Sequence, residues 1–209
     1  MAGVNGAGKS SVLGTAVEAA GGRYFNPDDA ARQLRAERPD LDPPAANAAA
    51  WEAGRRHLER AIRDGLFYAF ETTLGGDTIT RLLHEALRAG REVHLRYVGL
   101  DGAERHIARV QARVAAGGHP IPEAMIRHRY ESSRANLLSL LPHLTLLELY
   151  DNTPEAPPEQ GIAPEPRLLL RLERGKVTML TPPATIPGWA KPIVMAAVQL
   201  DPQSLRRGR

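Results

Sequence analysis

Cysteine is absent from the 209 residues, which removes disulfides, thiolate nucleophiles and cysteine-built zinc sites from consideration. The seven histidines show no H-E-x-x-H or comparable ligand spacing, so a histidine-held metal has no support in the sequence. No apolar run approaches the roughly 18 residues of a membrane span, and the chain opens on a glycine-rich loop instead of a signal peptide. A soluble, cytoplasmic protein without a membrane partner is expected. Aromatic residues make up only 5%, and 27 basic residues nearly balance 24 acidic ones for a net charge of +3. A protein that tracks single-stranded nucleic acid interleaves aromatic stacking residues with a basic stripe, so no nucleic-acid partner is expected either. The arginine-rich end, Leu205-Arg206-Arg207-Gly208-Arg209, reads as a frayed terminus. The length suits one α/β domain with an ordinary core, or one domain with a small appendage.

What is present starts at residue 3. Gly3-Val4-Asn5-Gly6-Ala7-Gly8-Lys9-Ser10 spells G-x-x-x-x-G-K-S, the P-loop. Such a loop wraps backbone N–H groups around phosphates at a helix N-terminus, where aligned peptide dipoles favour an anion. Gly3, Asn5, Gly6, Ala7, Gly8, Lys9, Ser10 and Ser11 are therefore the candidate nucleotide-binding residues. Lys9 would place an ammonium on the β- and γ-phosphates, and the Ser10 hydroxyl would complete a Mg²⁺ shell otherwise made of water and phosphate oxygens. ATP and Mg²⁺ are the expected cofactors. A P-loop hangs from the C-terminal end of a buried parallel strand, yet only Met1 and Ala2 precede Gly3. The first strand is expected to be truncated, either by a start codon placed too late or with a partner segment filling the gap.

Further along, strand and helix patterns alternate at the spacing of βαβ units, which predicts a mostly parallel sheet flanked by helices on both faces. After a helix over 11–18 and a Gly21-Gly22 stop comes the short strand Arg23-Tyr24-Phe25, followed by Asn26-Pro27-Asp28-Asp29. Asp28 or Asp29 can cap the next helix; strand C-terminal ends face the nucleotide in this architecture, so one of them can also serve the chemistry. A helix over 45–63 leads to a buried strand at 66–70 that ends in Glu71-Thr72-Thr73. Helices over 77–89 and 101–116 enclose a strand at 93–98. Arg105, Arg109 and Arg113 share one helix face. With Arg127, Arg129 and Arg134 beyond Gly117-Gly118, they suggest a lid at about 101–140 that swings arginines onto transferring phosphates. A strand at 145–150 ends the core at residue 153. Residues 154–166 form a proline-rich linker, and 167–209 a small hairpin and helix packed on the core.

Taken together, the P-loop, Asn26 to Ala31, Phe70-Glu71-Thr72-Thr73-Leu74, Tyr97 to Leu100, Arg109 to Val114, Gly117-Gly118-His119-Pro120-Ile121-Pro122, Arg129-Tyr130 and Tyr150-Asp151-Asn152 resemble the zeta-toxin-like P-loop kinases, in the branch labelled ABC-type ATPase. The resemblance runs over about residues 3–153. It implies an ATP-dependent phosphotransferase acting on the sugar 3′-hydroxyl of UDP-N-acetylglucosamine, with an antitoxin protein as a possible partner. It also implies Asp28 as catalytic base, Asp29 as helix cap, and Glu71, Thr72 and Thr73 as substrate-holding residues. Arg113 and Arg129, with Arg109 as fallback, would neutralise the moving phosphoryl group. The chain departs from the family in its short first strand, in Asn26 where an aspartate is usual, and in the spacing of its arginines. The alternatives are a kinase of another metabolite and a nucleotide-binding ATPase module without an acceptor. A transport ATPase of the ABC kind is disfavoured, because the chain lacks Leu-Ser-Gly-Gly-Gln and an apolar strand ending in Asp-Glu.

Overall fold

A computed structural model of the chain describes residues 1–9, 24–153 and 165–204. Ser10, Ser11, the expected helix over 11–18, residues 154–164 of the linker expected at 154–166 and the tail from 205 lie outside the described residues. The architecture is α/β, a central sheet flanked by helices. Its strands are β1 (Tyr24–Phe25), β2 (Ala69–Phe70), β3 (His94–Gly99), β4 (Leu146–Asp151), β5 (Arg167–Glu173) and β6 (Lys176–Leu180). The helices are α1 (Pro27–Glu37), α2 (Pro43–Asp64), α3 (Asp77–Arg88), α4 (Ala103–Ala115), α5 (Glu123–Leu140) and α6 (Lys191–Leu200).

Ala2 joins what would otherwise be two sheets. It bridges Thr72 on one side and Tyr97 on the other, both in parallel, so the β1-β2 pair continues through it into β3-β4-β5-β6. The Ala2 N–H donates to the Arg96 carbonyl at 2.9 Å and the Val98 N–H to the Ala2 carbonyl at 3.0 Å. On the other flank the Thr72 N–H donates to the Met1 carbonyl at 2.9 Å and the Gly3 N–H to the Thr72 carbonyl at 3.2 Å. Residues 1–3 thus stand in the central strand position. The Met1 amine donates to the Phe70 carbonyl at 2.6 Å, and burial pushes its pKa down to about 5.

The β1-β2 and β3-β4 pairs are parallel, whereas β5 and β6 add antiparallel to β4 and to each other. The C-terminal hairpin therefore extends the sheet, and its Leu169, Leu170 and Leu172 share one apolar cluster with Leu147 and Leu149 of β4 and Ile193 and Ala197 of α6. Cross-strand chemistry locks this register: Glu148, buried in mid-sheet, lies opposite Arg96 and Arg171 and accepts from both. Burial alone would raise the Glu148 pKa, but the two guanidinium partners hold it below the usual carboxylate range.

Local sequence explains the helix ends. Asn26 caps α1, its side chain accepting from the Asp28 N–H at 2.9 Å, with Pro27 at the first helical position. This corrects the expectation that Asp29 caps the helix: Asp29 pairs with Arg32 on the surface instead, and an Asn at the turn before the helix has the shorter reach to the orphan N–H. Asp42 caps α2 in the same way, and Gly65 ends it in the left-handed region at φ 66°. The buried strand expected at 66–70 shrinks to Ala69–Phe70, because the chain must first travel from the end of α2 to the sheet. Leu66 and Phe67 are exposed on that passage.

The helices expected as a swinging lid are seated on the core. Ile107 and Val110 of α4 and Ile126 of α5 close over Val4 of the P-loop. From α5, Ser133 Oγ donates to the Thr73 carbonyl at 2.7 Å, Ser132 Oγ to the Gly75 carbonyl at 2.9 Å and Asn136 Nδ2 to the Leu74 carbonyl at 2.9 Å. These bonds grip the loop after β2, in which Leu74 takes a left-handed φ of 54°. From this seat Arg109 and Arg113 of α4 and Arg129 of α5 border the same cavity as the P-loop.

Candidate active site

The P-loop emerges from residues 1–3 at the C-terminal end of the parallel strands, where open α/β sheets hold ligands. Its path depends on glycine. A Cβ on Gly3 would stand 2.3 Å from the Val98 carbonyl oxygen, and one on Gly6 (φ 80°) 2.7 Å from the His106 carbonyl oxygen. Gly8 also takes a positive φ, of 82°. This bare backbone borders a cleft of about 1050 Å³ that also receives Asp28, Glu71, Thr72, Thr73, Arg109, Arg113 and Arg129. Apart from Ser10 and Ser11, which lie outside the described residues, and Gly3 and Ala7, which sit beneath the loop, every residue expected at the site borders this cavity.

On the cleft floor, Lys9 is buried and its Nζ stands 3.3 Å from Glu71 Oε1 and 3.3 Å from the Val4 carbonyl. Burial lowers its pKa and Glu71 opposes that effect. The other Glu71 oxygen accepts from the Tyr24 hydroxyl at 2.9 Å and lies 3.5 Å from Asn26 Nδ2. Asn26, the residue that departs from the resembled family, thus both caps α1 and touches Glu71. The Thr72 and Thr73 hydroxyls accept from the backbone N–H groups of Leu74 and Gly75, which shapes the turn at the cleft edge.

Asp28 differs from Glu71 in being exposed in the first turn of α1. Among the described residues no hydrogen bond or ion pair engages its carboxylate, while Lys9 and Arg129 feel its charge. A carboxylate at a helix N-terminus, facing a cavity and without a fixed partner, can accept a proton from an incoming hydroxyl.

The arginines approach from the far wall. Arg129 Nη1 donates to Asn5 Oδ1 at 2.8 Å, and burial lowers its pKa. Arg113 donates through Nη2 to the His119 carbonyl at 3.3 Å, and its buried Nε has no partner among the described residues. Arg109 donates to the Asn152 carbonyl at 2.8 Å. Of the remaining basic residues, Arg127 pairs with Glu104 and Arg134 stacks on Tyr130 at 4.0 Å, so neither serves the cleft. Asp151 does not border the cleft: it accepts from Trp189 Nε1 at 3.2 Å and pairs with Arg167, tying the C-terminal region to β4.

A face of α2 closes the opposite wall with Asn47, Ala48, Trp51, Gly54 and Arg55, residues that recur at helical spacing. Sequence reasoning missed this wall, although the spacing was legible. Gly54 leaves room for the Phe25 ring, which lies 2.6 Å from where a Cβ would stand. Arg55 is engaged by Glu52 and Glu59, so its charge is spent within the helix.

Glycines with positive φ, a lysine at the helix start and a guanidinium nitrogen in the wall without a partner among the described residues together fit a phosphate chain. Among the described residues no three His, Asp or Glu groups converge on one point. A Mg²⁺ here would therefore be held chiefly by phosphate oxygens and a hydroxyl such as that of Ser10. No helix among the described residues is long and apolar enough to cross a membrane.

Comparison with known proteins agrees with this architecture. A family model described as AAA domain (AAA_33) matches residues 1–135. An uncharacterized protein of Haemophilus influenzae is 33% identical over 131 residues, covering 61% of this chain and 88% of its own length. In fold, the chain resembles the crystal structure of AvrRxo1-ORF1:AvrRxo1-ORF2 with sulphate ions, at a TM-score of 0.61 and 17% identity. The AvrRxo1-ORF1:-ORF2 structure with ATP gives a TM-score of 0.60, also at 17% identity. Each similarity covers 94% of this chain, which spans 62% of the matched chain's length.

Proposed function

The chain belongs to the AAA domain family, and on that premise we propose that it is a P-loop phosphotransferase that moves the γ-phosphoryl group of ATP to a hydroxyl of a sugar nucleotide such as UDP-N-acetylglucosamine. The observation that carries this reading is the convergence on one cleft of a glycine-built anion loop, the Asp28 carboxylate, which no described residue engages, and Arg109, Arg113 and Arg129. A nucleotide hydrolase needs no second pocket, whereas here the cavity continues past Asp28 to a wall bearing Trp51, Phe25 and Asn47.

Each side chain then has a task. The Gly6 and Gly8 backbone and Lys9 bind the phosphate chain, and Lys9 exchanges Glu71 for a phosphate oxygen. Asp28 takes the proton of the acceptor hydroxyl as that oxygen attacks the γ-phosphorus and the bond to the leaving diphosphate breaks. Arg113 and Arg129 neutralise charge spread over the transferring group. Magnesium, held by Ser10 and phosphate oxygens, would supply further charge neutralisation. Glu71, Thr72 and Thr73 form the edge against which the acceptor sugar rests. An ATP-containing relative in fold, itself a two-protein structure, supports ATP as donor and a search for a protein partner of the antitoxin kind.

One feature favours a different acceptor. The guanidinium on the α2 wall is paired within its own helix, leaving that side neutral and aromatic, which also suits a metabolite that brings a flat ring and a hydroxyl but no diphosphate. A screen separates the two. The protein is incubated with Mg-ATP and a panel of UDP-sugars, nucleosides and simple polyols, and products are read by mass spectrometry, with Lys9→Ala and Asp28→Ala as controls. Phosphorylated UDP-N-acetylglucosamine, missing in both controls, supports the sugar-nucleotide reading. Modification of an acceptor without a diphosphate moves the assignment to the second class, and ATP turnover with no acceptor modified removes the kinase reading.

A further inference from the structure

The P-loop peptides are held from behind by two side chains that never enter the cleft. His106, on α4 and 1% exposed, has Nδ1 2.9 Å from the Asn5 carbonyl. Because the partner is a carbonyl oxygen, Nδ1 carries the proton and donates. Asn152, just past β4, donates through Nδ2 to the Ala7 carbonyl at 2.8 Å. Asn152 is itself fixed, its N–H donating to the Gly99 carbonyl at 3.0 Å and its own carbonyl accepting from Arg109.

The consequence follows from peptide geometry. In a planar trans peptide the C=O and N–H point in opposite directions. The Asn5 carbonyl belongs to the peptide whose N–H is that of Gly6, and the Ala7 carbonyl to the peptide whose N–H is that of Gly8. Asn5, Gly6 and Gly8 border the cleft, whereas His106, Asn152 and Ala7 do not. Drawing both carbonyls away from the cavity therefore turns the Gly6 and Gly8 N–H groups toward it. Glycine permits either peptide orientation, so the two donors favour the one in which the N–H groups face the cavity.

We infer that His106 and Asn152 are positioning residues of the phosphate cradle, each orienting one glycine N–H toward the bound phosphate chain. The inference rests on the nucleotide reading above and adds to it residues outside the P-loop motif. It also gives Arg109 a task distinct from charge neutralisation, since it holds Asn152.

Calorimetric titration of ADP and of inorganic pyrophosphate into the full chain tests this, alongside Lys9→Ala, His106→Asn, His106→Leu and Asn152→Asp, with thermal unfolding of each protein alone. His106→Leu and Asn152→Asp are expected to weaken both ligands about tenfold, the scale of a lost orienting hydrogen bond. His106→Asn, whose amide nitrogen can stand where Nδ1 does, is expected to stay within about threefold of the parent. Because pyrophosphate has only phosphates to offer, a parallel loss for both ligands places the effect in the cradle. A His106→Leu protein that unfolds like the parent and binds both ligands equally well overturns the inference. If that variant does not fold, the same outcome in Asn152→Asp does so. Failure of the parent chain to bind ADP would instead remove the nucleotide reading, and this inference with it.

Discussion

Lys9 Nζ and Glu71 Oε1 stand 3.3 Å apart on the floor of the cleft, both nearly excluded from solvent. The pair joins the P-loop to the strand-end loop across the sheet, and removing one member leaves a buried charge alone. Such losses run to about 3–5 kcal/mol. Glu71→Leu is accordingly expected to lower the unfolding midpoint sharply. Tyr24→Phe, which removes only the 2.9 Å hydroxyl bond to the same carboxylate, should cost about 1 kcal/mol. Chemical denaturation of the two variants beside the parent checks the order, and a Glu71→Leu protein as stable as the parent would show that the pair is not a structural tie.

Asp28 presents the opposite case, a carboxylate without a bonded partner among the described residues. Asp28→Asn is expected to keep the parent's stability to within about 0.5 kcal/mol, as befits an exposed side chain, and to retain ATP affinity. Turnover should fall by about a hundredfold or more, the usual contribution of a positioned base. Steady-state kinetics with an identified acceptor decides this; unchanged kcat would move the base elsewhere.

Gly3→Ala tests the entry to the loop. Its Cβ would meet the Val98 carbonyl oxygen at 2.3 Å, and φ at 147° already lies where side chains are rarely found. Since that carbonyl belongs to a buried strand, relief requires moving β3 away from residues 1–3. The variant should be destabilised by about 3 kcal/mol or more, or fail to fold. Soluble expression and thermal unfolding report it, and normal behaviour would show that the central ladder is looser than described.

His106 makes a pH prediction. Burial pushes its pKa down to about 4, from about 6.5 in an unfolded chain. Above pH 6.5 both states are neutral and its contribution is complete; as pH falls toward 4 the unfolded chain takes up a proton that the folded chain refuses. Stability should therefore decline across that window, by about 3 kcal/mol in all. The difference between the parent and His106→Asn isolates the effect, since the buried Met1 amine titrates equally in both. Parallel stability curves for the two proteins would contradict it.

Trp51 tests the acceptor wall. It is 46% exposed and borders the cleft from α2, so Trp51→Ala should leave folding and ATP affinity intact. The acceptor KM should rise about tenfold, the scale of a lost aromatic contact. An unchanged acceptor KM would place the acceptor on another wall.

What was legible in the amino-acid order is what depends on residue type at short range. The P-loop spacing, the alternation of strand and helix, and the acidic turn at residues 26–29 are local features, each tied to a backbone conformation or a helix end by bonds that span a few residues. Asp28, Glu71, Arg113 and Arg129 were named through the family resemblance, and the structure brings all four to the border of one cleft. What depends on distant backbone meeting backbone was left to the tertiary structure. Three residues, Met1 to Gly3, can stand as a central strand only because Thr72 and Arg96 to Val98 supply partners on both sides. That Asp151 braces Trp189 while its neighbour Asn152 reaches the P-loop follows from the alternation of side chains at the end of a buried strand, which no nearby residue reveals. His106 looked like one histidine among seven because its partner, the Asn5 carbonyl, is 101 residues away and is a backbone group that the sequence does not mark.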